Sequence, residues 1–189
     1  DHCLQAVPTP DREAARLLMR MNHHVDVLIP RGGPGLIEAV TQNATIPILF
    51  HGAGICHTFV DESADLGMAE RIVLNAKTQR PSVCNAMETL LVHSALAPDW
   101  LPRISSALVE RGVTLVGCVR SCALVPALQA ATEADWDTEY LDLKLSVRVV
   151  DSLEEAIAHI NRHGTQLADC IVTNDLSCAL RFQQQVESA

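Results

Sequence analysis

Short apolar β-rich runs alternate with helical patterns along the whole chain, and that alternation limits the fold more than any other feature. Val25–Ile29, Thr45–Phe50, Ile55–Val60, Glu88–His93, Val113–Val116, Leu143–Val150 and Cys170–Thr173 each read as strands. Between them lie amphipathic segments with recognisable starts and stops. Asp11 can cap a helix whose face is Ala14, Leu17, Leu18 and Met21, and Pro34 suits a first helical position. Asp61 or Ser63 is expected to cap a helix reaching about Asn75. Asp99–Arg111 should stop at Gly112, and Ser121–Ala131 should be helical with a break at Pro126. Ser152-x-x-Glu155 is a capping box for a helix ending at Gly164, and Asp175–Val186 closes the series. Strands alternating with helices predict an α/β fold: a mostly parallel open sheet with helices on both faces.

Composition agrees. The chain has 189 residues, 48% of them hydrophobic but only 3% aromatic, so its core is built from Ala, Val, Ile and Leu, as parallel sheets are. A net charge of −9 argues against nucleic acid as a partner. No apolar run approaches a membrane span and no signal peptide is visible, so a cytoplasmic location is expected. Seven cysteines, an odd number without a C-x-x-C pair, fit a reducing compartment rather than a disulfide framework. The chain begins at Asp1 and stops just after a helical pattern, so both ends read as cuts through a larger protein. The glycines of 50–54 mark the expected seam.

Chemistry concentrates in Lys77–Leu90, KTQRPSVCNAMETL. It sets Cys84 in a polar, turn-prone stretch just before a packable run, where a thiol is either a nucleophile or a structural cysteine in a loop. Lys77 and Arg80 could stabilise its thiolate. Lys77, Thr78, Gln79 and Arg80 either bind a carboxylate or phosphate or form a solvated basic turn. Asn85, beside the cysteine, is placed with them. Arg31-Gly32-Gly33 before a helix could offer backbone N–H groups to a pyrophosphate. His51, Cys56 and His57 do not make a metal site, because Cys56 and His57 point to opposite faces of a strand and no second ligand pair is near. Cys118 and Cys122 are expected to pack, and Cys170 and Cys178 to act as small core groups.

The stretch NAKTQRPSVCNAMETLLVH, Asn75–His93, resembles the active-site segment of γ-glutamyl phosphate reductases, members of the aldehyde dehydrogenase superfamily. LIPRGGPGL (Leu28–Leu36), GICHTFVDESAD (Gly54–Asp65), Thr138–Gln166 and ADCIVTNDLSCALRF (Ala168–Phe182) agree in the same order. The resemblance implies residues 1–50 as the C-terminal remnant of an NADP-binding, Rossmann-like domain and 51–189 as a catalytic thiol domain, truncated at its C-terminus. It implies that Cys84 attacks L-glutamyl 5-phosphate, expels phosphate and forms a thioester, which NADPH reduces to glutamate 5-semialdehyde for proline biosynthesis. The backbone N–H of Cys84 is a candidate oxyanion donor. The superfamily's ribose-binding glutamate falls at Glu139. About His51, hydrolytic relatives carry a water-activating glutamate. Its loss would suit an enzyme whose thioester must avoid water, though His51 could equally be a loop residue without a role. A homo-oligomer and association with glutamate 5-kinase are further implied, as is inactivity of these 189 residues alone. The alternatives are another acylating or non-acylating aldehyde dehydrogenase, or a non-catalytic scaffold of the same fold.

Overall fold

The computed structural model describes residues 3–49 and 52–189. They fall into two compact units, Asp1–Gly52 and Ala53–Ala189.

In the first unit α1 (Arg12–Leu18) opens as its sequence dictates. The Asp11 carboxylate accepts the backbone N–H of Glu13 at 2.9 Å, satisfying a donor that a helix start leaves free. Pro34 is the first residue of α2 (Pro34–Asn43). The expected strands Val25–Ile29 and Thr45–Phe50 are not built as such: among the described residues they make one parallel bridge, Leu28 to Ile48. Phe50 lies outside the described residues. Pro47 has no N–H to give a ladder, and Val27, Ile29 and Leu49 remain exposed, so only one side of each segment is covered, Ile46 being buried.

The second unit is one six-stranded, all-parallel sheet in the order β4-β3-β5-β2-β1-β6. The strands are β1 (Cys56–Val60), β2 (Met87–His93), β3 (Thr114–Gly117), β4 (Gln129–Ala130), β5 (Lys144–Val150) and β6 (Cys170–Val172). Between them run α3 (Leu66–Thr78), α4 (Ala97–Val109), α5 (Val119–Leu124), α6 (Glu133–Trp136) and α7 (Leu153–His163), and α8 (Leu176–Gln185) follows β6. Strand alternation sends Leu90, Val92, Leu145, Val147 and Val149 to one face, against Val73 of α3 and Trp100, Leu101, Ile104 and Leu108 of α4. Phe59, Leu91 and Val150 face the other way, onto Leu153, Ala156, Ile157 and Ile160 of α7 and Phe182 of α8. Each large side chain so buried is worth about 1.5–3 kcal/mol. The two apolar faces are why β2 and β5 read as nearly continuous hydrophobic runs.

Two helices depart most from the sequence reading. Helix α3 is capped by Asp65, whose side chain accepts the Met68 N–H at 2.7 Å. Asp61 and Ser63 are occupied elsewhere: the Asp61 carboxylate accepts from the hydroxyls of Ser63 (2.7 Å) and Thr173 (2.8 Å), tying the end of β1 to the end of β6. The helix expected over 121–131 begins at Val119 and stops at Leu124, because Pro126 cannot continue it. The chain then forms β4 and the short α6, both too brief to show a period. Cys170, expected in the core, is exposed at the edge strand β6, and Cys178 is half-buried. Among the described residues no helix is long and apolar enough to cross a membrane.

Candidate active site

Cys84 sits on the turn between the end of α3 and the start of β2. Turn bonds from Val83 N–H to Arg80 C=O (3.4 Å) and from Ala86 N–H to Val83 C=O (3.0 Å) fold the chain back. Its side chain is exposed. Its backbone is gripped from the neighbouring strand. The Cys56 thiol donates to the Cys84 carbonyl at 3.6 Å. Gly54 passes so close that a Cβ there would lie 1.8 Å from the same oxygen. Burial pushes the Cys56 thiol up to about 11, so it stays protonated and able to donate. The result is a nucleophile-capable sulfur facing outward from a turn whose main chain is fixed from behind.

The basic turn divides. Lys77 corrects the sequence reading: it is wholly buried on the inner face of α3, its ammonium 2.7 Å from Glu88 Oε2, and so cannot reach a ligand or the Cys84 thiol from solvent. Position 77 follows Ala69 and Val73 at helical spacing, so its side chain enters the core and Glu88 meets it there. Thr78 spends its hydroxyl on the Leu74 carbonyl one turn back, at 2.7 Å. Gln79, Arg80 and Asn85 are exposed around Cys84.

Glu139, half-buried, lies in the loop entering β5, the strand beside β2. Both strands run the same way and their starts are level, Thr89 pairing with Ser146. The loop of Glu139 and the turn of Cys84 therefore precede adjacent strands at one end of the sheet. That loop is tied twice. Tyr140 Oη donates to Asp135 Oδ1 at 2.9 Å and shares a 2.8 Å bond with Ser146 Oγ. The Leu141 N–H donates to Glu88 Oε1 at 3.2 Å. Arg31, Gly32 and Gly33 belong to the other unit. Gly33 caps α2, and a Cβ on Gly32 would meet Leu36 Cδ2 at 2.6 Å. His51 lies outside the described residues.

Sequence reasoning gave His57 no role. The structure places it in a buried polar cluster on the α7 face of the sheet. Its Nδ1 is 2.9 Å from Asp169 Oδ1, which also accepts the His57 backbone N–H at 2.7 Å, and the Ser188 hydroxyl donates to the other Asp169 oxygen. The rings of Trp136 and His159 meet edge-on, and His163 pairs with Asp137 at 2.7 Å. Partners 112 residues apart leave no spacing to read. The Cys56 thiol meets the Cys84 carbonyl whereas the His57 ring meets Asp169, and the ladder of β1 is irregular between the two residues.

An all-parallel sheet covered on both faces, with the thiol-bearing turn at the mouth of a central strand, defines the class of aldehyde-dehydrogenase-like α/β proteins. The NADP-dependent glyceraldehyde-3-phosphate dehydrogenase of Bacillus halodurans has this fold: the TM-score is 0.71 over 93% of this chain and 45% of that one, at 18% identity. No family model matches the chain. Individual proteins do. It is 56% identical over 186 residues to the γ-glutamyl phosphate reductase of Moorella thermoacetica, covering 98% of this chain and 44% of that protein. The crystal structure of the γ-glutamyl phosphate reductase of Thermotoga maritima superposes with a TM-score of 0.93 at 44% identity, over 96% of this chain and 44% of that one. Over nearly its whole length the chain is similar to γ-glutamyl phosphate reductases, and it spans less than half the length of these relatives.

Proposed function

We propose that Cys84 is the nucleophile of an NADPH-dependent γ-glutamyl phosphate reductase, with residues 51–189 as its thiol domain and 1–50 as part of its cofactor domain. One observation carries this reading: the Cys84 sulfur is exposed while its carbonyl is pinned by Cys56 and Gly54. The Cys84 thiolate attacks the acyl carbon of L-glutamyl 5-phosphate. A C–S bond forms, the C–O bond to phosphorus breaks, and phosphate leaves with the electron pair. The Cys84 backbone N–H stabilises the oxyanion that develops on the way. Arg80, Gln79 and Asn85, exposed beside the sulfur, hold the substrate's carboxylate and phosphate; a planar guanidinium suits both.

The residues present fit a nicotinamide cofactor. Glu139 is half-exposed at the same end of the sheet as Cys84 and would hold the ribose. Within the first unit, Gly33 has nothing within 4 Å of where a Cβ would be, which suits a phosphate-binding turn. When bound, the reduced cofactor supplies the hydride that converts the thioester to the aldehyde and returns the sulfur as thiolate. The product would be glutamate 5-semialdehyde, within proline biosynthesis. We read a homo-oligomer and association with glutamate 5-kinase as the assembly of the whole enzyme, in the cytoplasm.

The test compares the reductase carrying this chain with its Cys84→Ala variant. Glutamyl-phosphate-dependent NADPH oxidation should fall at least about 10³-fold, and a glutamyl adduct trapped without cofactor should map to Cys84. Turnover surviving in Cys84→Ala would overturn the assignment.

A further inference from the structure

Glu88 is a buried carboxylate that joins two different parts of the site. Its Oε2 accepts from Lys77 and its Oε1 from the backbone N–H of Leu141, while the side chains of Glu88 and Lys77 are 1% and 0% exposed. Burial pushes the pKa of Lys77 down and that of Glu88 up, each toward its neutral form, and the nearby charge of Glu139 pushes Glu88 further. The ammonium of Lys77 is what opposes this and keeps a charged acceptor in place. Stability alone does not account for such a pair, since apolar residues of similar volume commonly do as well.

Leu141 supplies the second observation. It has φ +54°, the left-handed region that a branched side chain disfavours, and the residue is 45% exposed. Burial of that side chain therefore does not impose the conformation, whereas the bond from its N–H to Glu88 does restrain it. Strain of this kind persists where surrounding structure holds it and gathers near functional sites. Leu141 lies two residues after Glu139, and Glu88 four residues after Cys84. One carboxylate thus links the loop carrying Glu139 to the strand that continues from the thiol turn.

We propose that the Lys77–Glu88 pair is a positioning device: Glu88 clamps Leu141 in its left-handed conformation and so fixes the height of Glu139 relative to Cys84. The inference rests on the reading of Glu139 and Cys84 given above. Neither Lys77 nor Glu88 touches a ligand in this account.

Two variants isolate the clamp. Lys77→Met/Glu88→Gln removes both charges but keeps a side-chain oxygen for the Leu141 N–H. Lys77→Met/Glu88→Met removes the acceptor as well, at similar volume, and Leu replaces Met at position 88 should that pair unfold the chain. Hydrogen exchange over 138–143 should be about tenfold faster in the Met pair than in the Met/Gln pair, the loss of one buried bond. In the reductase carrying this chain, KM for NADPH should rise about tenfold in the Met pair with kcat changed less than about threefold, a split that general destabilisation would not give. Equal exchange over 138–143 in the two variants overturns the clamp. Faster exchange with an unchanged KM upholds the clamp and instead refutes Glu139 as the ribose ligand.

Discussion

If Cys84 is the nucleophile proposed above, replacing Gly54 by alanine should disable it without touching it. An ideal Cβ at Gly54 would stand 1.8 Å from the carbonyl oxygen of Cys84, 2.7 Å from its carbonyl carbon and 3.0 Å from its Cα. All three are backbone atoms, so no rotamer change clears them. Merely reaching 3.0 Å at the closest contact requires the turn and the strand to part by about 1.2 Å. Overpacking of this kind costs about 1–3 kcal/mol, so the urea midpoint should fall at an unchanged slope. A shift of about 1 Å at a reacting group costs about 10²-fold in rate, equivalent to about 2.7 kcal/mol. The assay is kcat/KM for the proposed glutamyl phosphate reduction by the whole reductase carrying this chain, run beside the rate of iodoacetamide labelling at Cys84 followed by peptide mass spectrometry. Turnover should fall about a hundredfold while labelling of the exposed thiol changes less than about threefold, with the exposed Cys170 as internal reference. Turnover within twofold of the parent would refute the claim that the Gly54 contact sets the position of the sulfur.

Two pH experiments follow from the buried polar groups. Burial, then the charges of His57, His163, Arg148 and Arg162, lower His159 to about 2, so the folded chain keeps it neutral. Unfolded, it binds a proton below about pH 6.5 that the folded chain refuses, so stability present above that pH declines on acidification by up to about 1.4 kcal/mol per unit. His159→Phe should flatten the stability profile between pH 6.5 and 4 by about one proton, and an unchanged slope in urea titrations would contradict this. Burial would raise Asp135, but bonds from the Thr132 N–H and hydroxyl, Lys144 and Tyr140 outweigh it and hold the carboxyl well below its usual range. Its contribution is therefore complete above about pH 4 and lost as pH falls toward its folded-state value. Asp135→Asn should cost about 1–3 kcal/mol at pH 7, with the gap to wild type narrowing as pH falls below about 4; a gap as large at pH 3 as at pH 7 would count against the assignment.

Much of this fold could be read from local chemistry, because its punctuation is local. Asp11, Ser152 and Asp175 each cap a helix with their own side chain, Pro34 stands at the start of another, and the runs that became β1, β2, β3, β5 and β6 are apolar enough to be seen alone. Where several caps compete within five residues, as Asp61, Ser63 and Asp65 do, the choice was made by Thr173, 112 residues away from Asp61. The same limit governed the candidate site. The neighbours of Cys84 left a nucleophile and a structural cysteine both open until the resemblance favoured the first, and Lys77 looked like a surface cation because its partner Glu88 comes from the next strand. Glu139 came from resemblance alone, and the tie from Leu141 to Glu88 spans 53 residues with no spacing to announce it.

The order of strands also has a consequence for synthesis. β1, which braces the thiol turn, lies between β2 and β6, and its links to the latter run from His57 to Asp169 and from Asp61 to Thr173, each across 112 residues. At roughly 5–20 residues per second, a ribosome needs about 5–20 s to deliver that second neighbour. Throughout that interval β1 has an apolar ribbon with one open side, a natural target for chaperones and for premature pairing with other nascent chains. Codon choices that slow translation between 61 and 169 should therefore lower soluble yield more than the same delay placed after 173.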